Sequence, residues 1–276
     1  VGEADPASVS NFRLDKYLVT VGRFRQFLNA SNEGTGPDGG TGYKPVPGSG
    51  KHVHLNGGEG LANSGTPGSY ETGWVASDDI DISPTDAHLL CDPTYATWTT
   101  SAGTQETLPM NCTTWAESYA FCIWDGGFLP SEAEWEYVAA GGSQQRMYPW
   151  GTTDPGATNQ YAIYGDNNSN CYFPTGTLAP CTGVANIAPV GTTVLGAALW
   201  AQLDMAGNVW EWNLDWYAPY TMPCDDCAEL TTLSDRVIRG GRYVDGPTYL
   251  VASDRHLYSV GGSRAPGLGF RCARTP

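Results

Sequence analysis

The run Asp204-Met205-Ala206-Gly207-Asn208-Val209-Trp210-Glu211-Trp212 sets two carboxylates around a Gly-Asn turn and beside two tryptophans. Packing alone does not call for acids at both Asp204 and Glu211. With the backbone carbonyls of Gly207 and Val209 turned inward beside them, these four residues would form an oxygen-only donor set, which suits calcium. Short acidic turns are also ordinary loop chemistry, so a solvated turn beside a core tryptophan pair accounts for the same stretch.

Other clusters carry weaker chemistry. Lys51-His52-Val53-His54 would present two imidazoles on one face of a strand, but no third ligand accompanies them and plain exposed surface is the simpler reading. Cys224-Asp225-Asp226-Cys227 has redox or zinc spacing. Zinc would want a second ligand pair, and a reactive thiol wants a cationic neighbourhood rather than two aspartates. Glu132, Glu134 and Glu136 alternate like a catalytic cluster, yet they occupy the first turns of a helix, where the macrodipole favours acids, and are read as structural. Asp166-Asn167-Asn168-Ser169-Asn170 is rich in oxygen donors and is read as a solvated loop. The Asn-x-Ser/Thr sites at Asn29 and Asn111 are taken as incidental.

The elements that must position these groups are few. Val21, Phe24, Phe27 and Leu28 recur at helical spacing, predicting a helix over 21–30 with Thr20 as its cap. Trp115, Tyr119, Phe121, Cys122 and Trp124 predict a second over 113–124, after an Asn-Cys-Thr start that can cap it. Ser131 with Glu134 three residues on is a capping-box spacing; this third helix runs to Ala140 and stops at Gly141-Gly142. From 33 to 73, Gly39-Gly40, Gly57-Gly58 and Pro67-Gly68 punctuate a loop. Arg236-Val237-Ile238-Arg239 alternates as a core strand, and Leu268-Gly269-Phe270-Arg271-Cys272 reads as a closing strand.

Composition narrows the partners. Fourteen basic against twenty-nine acidic residues leave a formal charge of -15, which repels nucleic-acid backbones and anionic lipid heads. No stretch approaches a membrane span and no cleavable signal is visible at Val1; a start without Met suggests trimming, so a missing leader says nothing. Charged residues make up only 16% while Gly 35, Trp 10 and Tyr 15 are high, which describes a loop-rich chain with an aromatic core. Eight cysteines, an even number, point to an oxidising compartment, hence a secreted or cell-surface protein, without fixing their connectivity.

Further motifs occur in one order with the acidic run: Leu129-Pro130-Ser131-Glu132-Ala133-Glu134-Trp135-Glu136-Tyr137, Tyr148-Pro149-Trp150-Gly151, Arg239-Gly240-Gly241 and Gly269-Phe270-Arg271-Cys272. Phe12-Arg13-Leu14-Asp15-Lys16-Tyr17-Leu18-Val19-Thr20 precedes them as an opening strand. The series resembles the formylglycine-generating-enzyme family, sulfatase-modifying proteins with a C-type-lectin-like fold. The resemblance implies an α+β, loop-rich fold with two or three helices around small antiparallel sheets. It implies one domain over 1–276, with a loop insertion at about 31–107 that matches no family motif. It also implies a bridge from Cys122 to Cys272, and from it the local pairs Cys91–Cys112, Cys171–Cys181 and Cys224–Cys227 are guessed. The family places a further calcium in the region of Asp166, with ligands that do not align here residue by residue.

The resemblance also implies an activity that the residues contradict. The family's enzyme uses two cysteines shortly after Arg-Gly-Gly to bind copper(I) and activate oxygen, converting a substrate cysteine to formylglycine. Copper(I) needs soft thiolates. Aligned from Gly241, those cysteines fall on Asp245 and near Leu250, and no cysteine occurs from Ala228 to Arg271. No copper is expected, and an oxygen-using oxidoreductase remains only as the alternative. A second branch of the fold fits better, the variable proteins of diversity-generating retroelements, which mutate adenines between the Gly-Gly and Gly-Phe-Arg motifs. Codons ending in pyrimidine never encode Lys, Glu, Gln, Met or Trp, and all of these are absent from Arg242 to Phe270. The segment 242–267 is therefore expected to be a non-catalytic ligand face for an unknown protein or surface molecule, contacted by Arg242, Tyr243, Asp245, Asp254, His256 and Tyr258. Arg255 and Ser259 add polar groups, while Tyr249, beside Leu250, is as well suited to burial.

Overall fold

The computed structural model describes residues 6–31, 42–260 and 262–276. Its α-helices are α1 (Val21–Ser31), α2 (Asp86–Leu89), α3 (Trp115–Trp124) and α4 (Glu132–Ala139). Their starts are marked in side-chain chemistry. The Thr20 hydroxyl accepts from the Arg23 N–H at 3.2 Å. Helices α3 and α4 open with reciprocal capping boxes, Thr114 with Glu117 and Ser131 with Glu134, each satisfying two backbone donors that a helix start otherwise leaves orphaned. Gly141, at φ 66, ends the run after α4.

The largest sheet has four strands, in the order Arg255–Ser259, Asp235–Arg239, Trp210–Trp216, Leu268–Gly269. The first two contacts are antiparallel and the third is parallel. The remaining paired strands are two residues long, and one of them, Ala273–Arg274 against Arg13–Leu14, ties the end of the chain to its opening segment.

Trp210–Trp216 is buried along its whole length, and its period-2 alternation sorts two kinds of neighbour. Trp210, Trp212 and Leu214 join the main apolar core with α1 and α3. Glu211, Asn213 and Asp215 face the other way into a buried polar seam against α4. There the Trp135 indole donates to Glu211 at 3.0 Å and the Glu132 N–H donates to Asp215 at 2.6 Å.

The segment before α3 is mostly turns, as expected, and among the described residues its strand content is Ala62–Asn63 against Cys227–Ala228. The Gly39-Gly40 turn lies outside the described residues. The surface reading of Lys51-His52-Val53-His54 is overturned. His52 sits in a turn rather than a strand and is 0% exposed. Its Nδ1 meets Glu71 and its Nε2 meets Glu134, each at 3.0 Å. Burial alone would lower its pKa, but the facing Glu134 and Glu71 carboxylates raise it to about 10. The loop is wrapped onto α4 by this clasp, which is why an apparently polar segment hides a cation.

All eight cysteines are paired, as Cys91–Cys112, Cys122–Cys272, Cys171–Cys181 and Cys224–Cys227. Four bridges suit an oxidising environment. Among the described residues no helix is long and apolar enough to cross a membrane.

Candidate ligand surface and metal centre

The acidic turn is built on left-handed backbone: Asp204, Gly207 and Asn208 have φ of 58, 80 and 68. A Cβ on Gly207 would come 2.3 Å from the Ile163 carbonyl oxygen, so glycine is required where this turn crosses its neighbour. Asn208 is a clasp. Its amide accepts from the Ala188 N–H and donates to the Ala188 carbonyl, both at 3.1 Å.

Asp204 is buried, and its Oδ2 accepts the Gly191 N–H at 2.6 Å while its Oδ1 has no hydrogen-bond partner. Burial, together with the charge of Glu211, pushes its pKa up to about 6 against the Gly191 hydrogen bond and Arg271. Glu211 is held by Arg271 through both carboxylate oxygens, at 2.6 and 2.8 Å. The buried Asp204 Oδ1 is the one carboxylate oxygen of this pair without a partner, since Arg271 takes both Glu211 oxygens and the Trp135 indole also donates to Glu211. A cation at Asp204, Gly207, Val209 and Glu211 would have to share the Glu211 oxygens with the guanidinium.

The C-terminal segment divides into inward and outward groups. Arg242-Tyr243-Val244-Asp245 reads in the sequence as an alternation that would turn half of these side chains outward, but the stretch is a turn. Asp245 faces inward and accepts from the Trp210 indole at 2.8 Å and from the Arg242 Nε at 3.1 Å. Tyr243 is buried with its ring on Tyr95, centroids 5.5 Å apart, and burial raises its pKa. Both are thereby corrected from ligand contacts to supports. Leu250, near which the second cysteine would fall, is also buried.

Outward groups remain. The side chains of Arg242 and His256 are 40% and 43% exposed. His256 rests on Trp210 and Tyr249, centroids 5.0 and 5.1 Å away, and lies 3.5 Å from Asp254. Burial raises the half-buried Asp254 carboxyl, opposed by His256 and Arg239. Two residues along the same strand face, half-buried Tyr258 packs edge-on to Trp212. His256 and Tyr258 thus share one face of strand Arg255–Ser259, with Asp254 beside His256 and Arg242 paired to Asp245, while Tyr258 and Tyr249 are partly covered by the main core.

Sequence reasoning missed the charged framework behind this face. Arg255 is not adjustable: it pairs with Glu132 at 2.7 Å and lies over the rings of Tyr217 and Tyr220. Arg239, fully buried, takes both Glu132 and Glu136. Glu132 and Glu136 are thus partners of long-range arginines, and Glu134 caps α4 and meets His52; the long-range pairings are relations that no local spacing signals. Asp15, Asp125 and Cys272 also cluster as metal-type donors. Cys272 is in a disulfide and the two acids hold Arg23 and Arg274, leaving no ligand there to give.

With the turn, the Arg-Gly-Gly strand and the closing strand in place, the chain matches the sulfatase-modifying factor enzyme 1-like domain over residues 3–276. It belongs to this family. Formylglycine-generating enzyme of Streptomyces coelicolor is 35% identical over 175 residues, 60% of this chain and 52% of that protein. A mouse relative named inactive C-alpha-formylglycine-generating enzyme 2 is 30% identical over 171 residues, 60% of this chain and 49% of that protein. The chain thus spans about half the length of these curated relatives, one named an enzyme and the other named inactive. PvdO from Pseudomonas aeruginosa shares the fold at TM-score 0.58 and 19% identity, covering 96% of this chain and 80% of its own. The architecture is the family's loop-rich, C-type-lectin-like α+β fold.

Proposed function

We propose that this member of the family is a non-catalytic ligand-binding protein whose ligand face is the outward side of segment 242–267. One observation carries the reading. Aligned from Gly241, the family's first copper cysteine falls on Asp245, committed to Trp210 and Arg242, and the second near buried Leu250, while every cysteine is in a disulfide. No thiolate is left for copper(I).

The face suits recognition of a protein or surface molecule. His256 and Tyr258 sit on an edge strand backed by Trp210 and Trp212, and Arg242 and Asp254 add polar groups from the adjoining turns. The absence of Lys, Glu, Gln, Met and Trp from 242–270, as codons ending in pyrimidine would give, supports diversification by a retroelement, and four disulfides support a secreted or surface-displayed protein. Calcium, held by Asp204, Gly207, Val209 and Glu211, would act structurally, neutralising the orphaned Asp204 oxygen and fixing the turn beneath the ligand face.

Sequencing the DNA that flanks the gene tests the reading. A reverse transcriptase and a near-copy of the codons for 242–271, differing only at template adenines, is the expected result. Their absence together with one tightly bound copper(I) per chain would reject it in favour of the oxidoreductase. For the cation, chelation is expected to lower the Tm of the wild type and to leave an Asp204→Ala/Glu211→Ala variant unmoved. An unchanged wild-type Tm removes the calcium proposal.

A further inference from the structure

A cavity of about 440 Å³ lies between residues 63–81 of the insertion, α3 and the late part of the C-terminal segment at Val260, Gly262 and Ser263. Its size is ordinary for a small-molecule site. At one wall stands Arg236, only 7% exposed, its guanidinium between the rings of Trp115 and Trp216 at 3.6 Å from each centroid.

Arg236 differs from the other inward arginines in what it lacks. Arg239, Arg255, Arg264 and Arg271 each face a carboxylate. Arg236 makes no ion pair among the described residues; one Nη donates to the Leu214 carbonyl and its Nε is buried without a partner. The burial of this charge is offset by the two indole faces and, at longer range, by Asp78 and Asp215, none of which closes an ion pair, so a carboxylate brought against it would be favoured. The tryptophan faces hold the guanidinium plane in place, leaving its edges as the donors.

The opposite lining is acidic. Asp78 and Asp81, in the 3-10 segment Ala76–Asp81, line the same cavity. Asp78 feels Arg236 across it without closing an ion pair, and its half-buried carboxyl is raised by burial. The rest of the lining is mixed: Tyr119, Leu214, Leu230 and Val260 supply apolar wall, and Glu71 and several hydroxyl side chains also reach the cavity. An anion acceptor, a cation acceptor and an apolar space in one small chamber match a compact zwitterion.

We propose that this cavity binds an α-amino acid with an apolar side chain, its carboxylate at Arg236 and its ammonium at Asp78. The site is separate from Arg242, Asp254, His256 and Tyr258 and does not rest on the function proposed above. Calorimetry on the whole chain tests it with three probes of one skeleton: L-leucine, 4-methylpentanoate, which lacks the amine, and 3-methylbutylamine, which lacks the carboxylate. L-leucine is expected to bind, each truncated probe at least about tenfold more weakly, a loss of roughly 1.4 kcal/mol. Asp78→Asn, at a half-buried position that leaves the tryptophan sandwich intact, is expected to lower leucine affinity about tenfold while sparing 4-methylpentanoate. Arg236→Lys, which keeps the charge but loses the fork, should weaken both carboxylate probes. No heat from any probe overturns the proposal, as does leucine binding that Asp78→Asn leaves unchanged or an amine that binds as tightly as leucine. None of these results depends on what the flanking DNA contains.

Discussion

Asp204 stores an unfavourable charge that the rest of the acidic turn does not relieve. Its folded pKa of about 6 lies above the ordinary carboxylate value of about 3.9. The native state therefore holds more protons than the unfolded chain between those two values. Its contribution to stability is fully present below about pH 4 and is lost as pH rises through about 6. In chelator, Asp204→Asn is expected to be less stable than or equal to the wild type at pH 4. It should gain on the wild type by about 3 kcal/mol by pH 7, read from urea midpoints. A constant difference across that range would show that the carboxyl is not held protonated. With calcium added, the wild type should recover and the asparagine variant should not.

Segment 42–107 buries Leu55, Leu61, Trp74, Leu89 and Trp98 in the main apolar core, and one imidazolium adds a charged clasp between it and α4. His52 is clasped by Glu71 and Glu134, and breaking such a buried set by removing one member strands the others, at a cost of roughly 3–5 kcal/mol. Because its folded pKa of about 10 is above its free value of about 6.5, the clasp contributes fully below pH 6.5 and fades as pH rises through 10. His52→Gln should therefore be markedly destabilised at pH 6 and approach the wild type near pH 10. Limited proteolysis at pH 6 should show early cuts within 42–107 in the variant, before any in α3. Cuts at equal rates in both proteins would mean that other contacts hold the segment.

Across the whole molecule, the Cys122–Cys272 bridge joins positions 150 residues apart, linking α3 to the closing end of the chain beside Arg13–Leu14. Loop-closure entropy gives such a bridge up to about 5 kcal/mol by constraining the unfolded chain. Cys122→Ala/Cys272→Ala is expected to lose a large part of that in denaturant midpoint. Cys224→Ala/Cys227→Ala, which opens a loop with a separation of only 3, should lose far less. Equal losses would shift the explanation from chain entropy to local packing.

Local pattern was enough for α1, α3 and α4, because a capping box and a 3.6-residue apolar repeat are short-range physics: Ser131 with Glu134 and Phe24 with Phe27 read the same in the string as in space. Family motifs in order supplied the rest of the architecture and the loss of the copper cysteines, since a missing thiolate is visible in composition. Tertiary structure decided what the string could not order. It turned Tyr243 and Asp245 inward, because the indole of Trp210 needs an acceptor and the turn at 242–245 breaks the expected alternation. It buried His52 by bringing Glu71 and Glu134 from 19 and 82 residues away. It also set Arg236 between Trp115 and Trp216, on strands and a helix distant in sequence, with no carboxylate partner. Charge pairing across such separations depends on which segments pack together, and no period in the sequence encodes that.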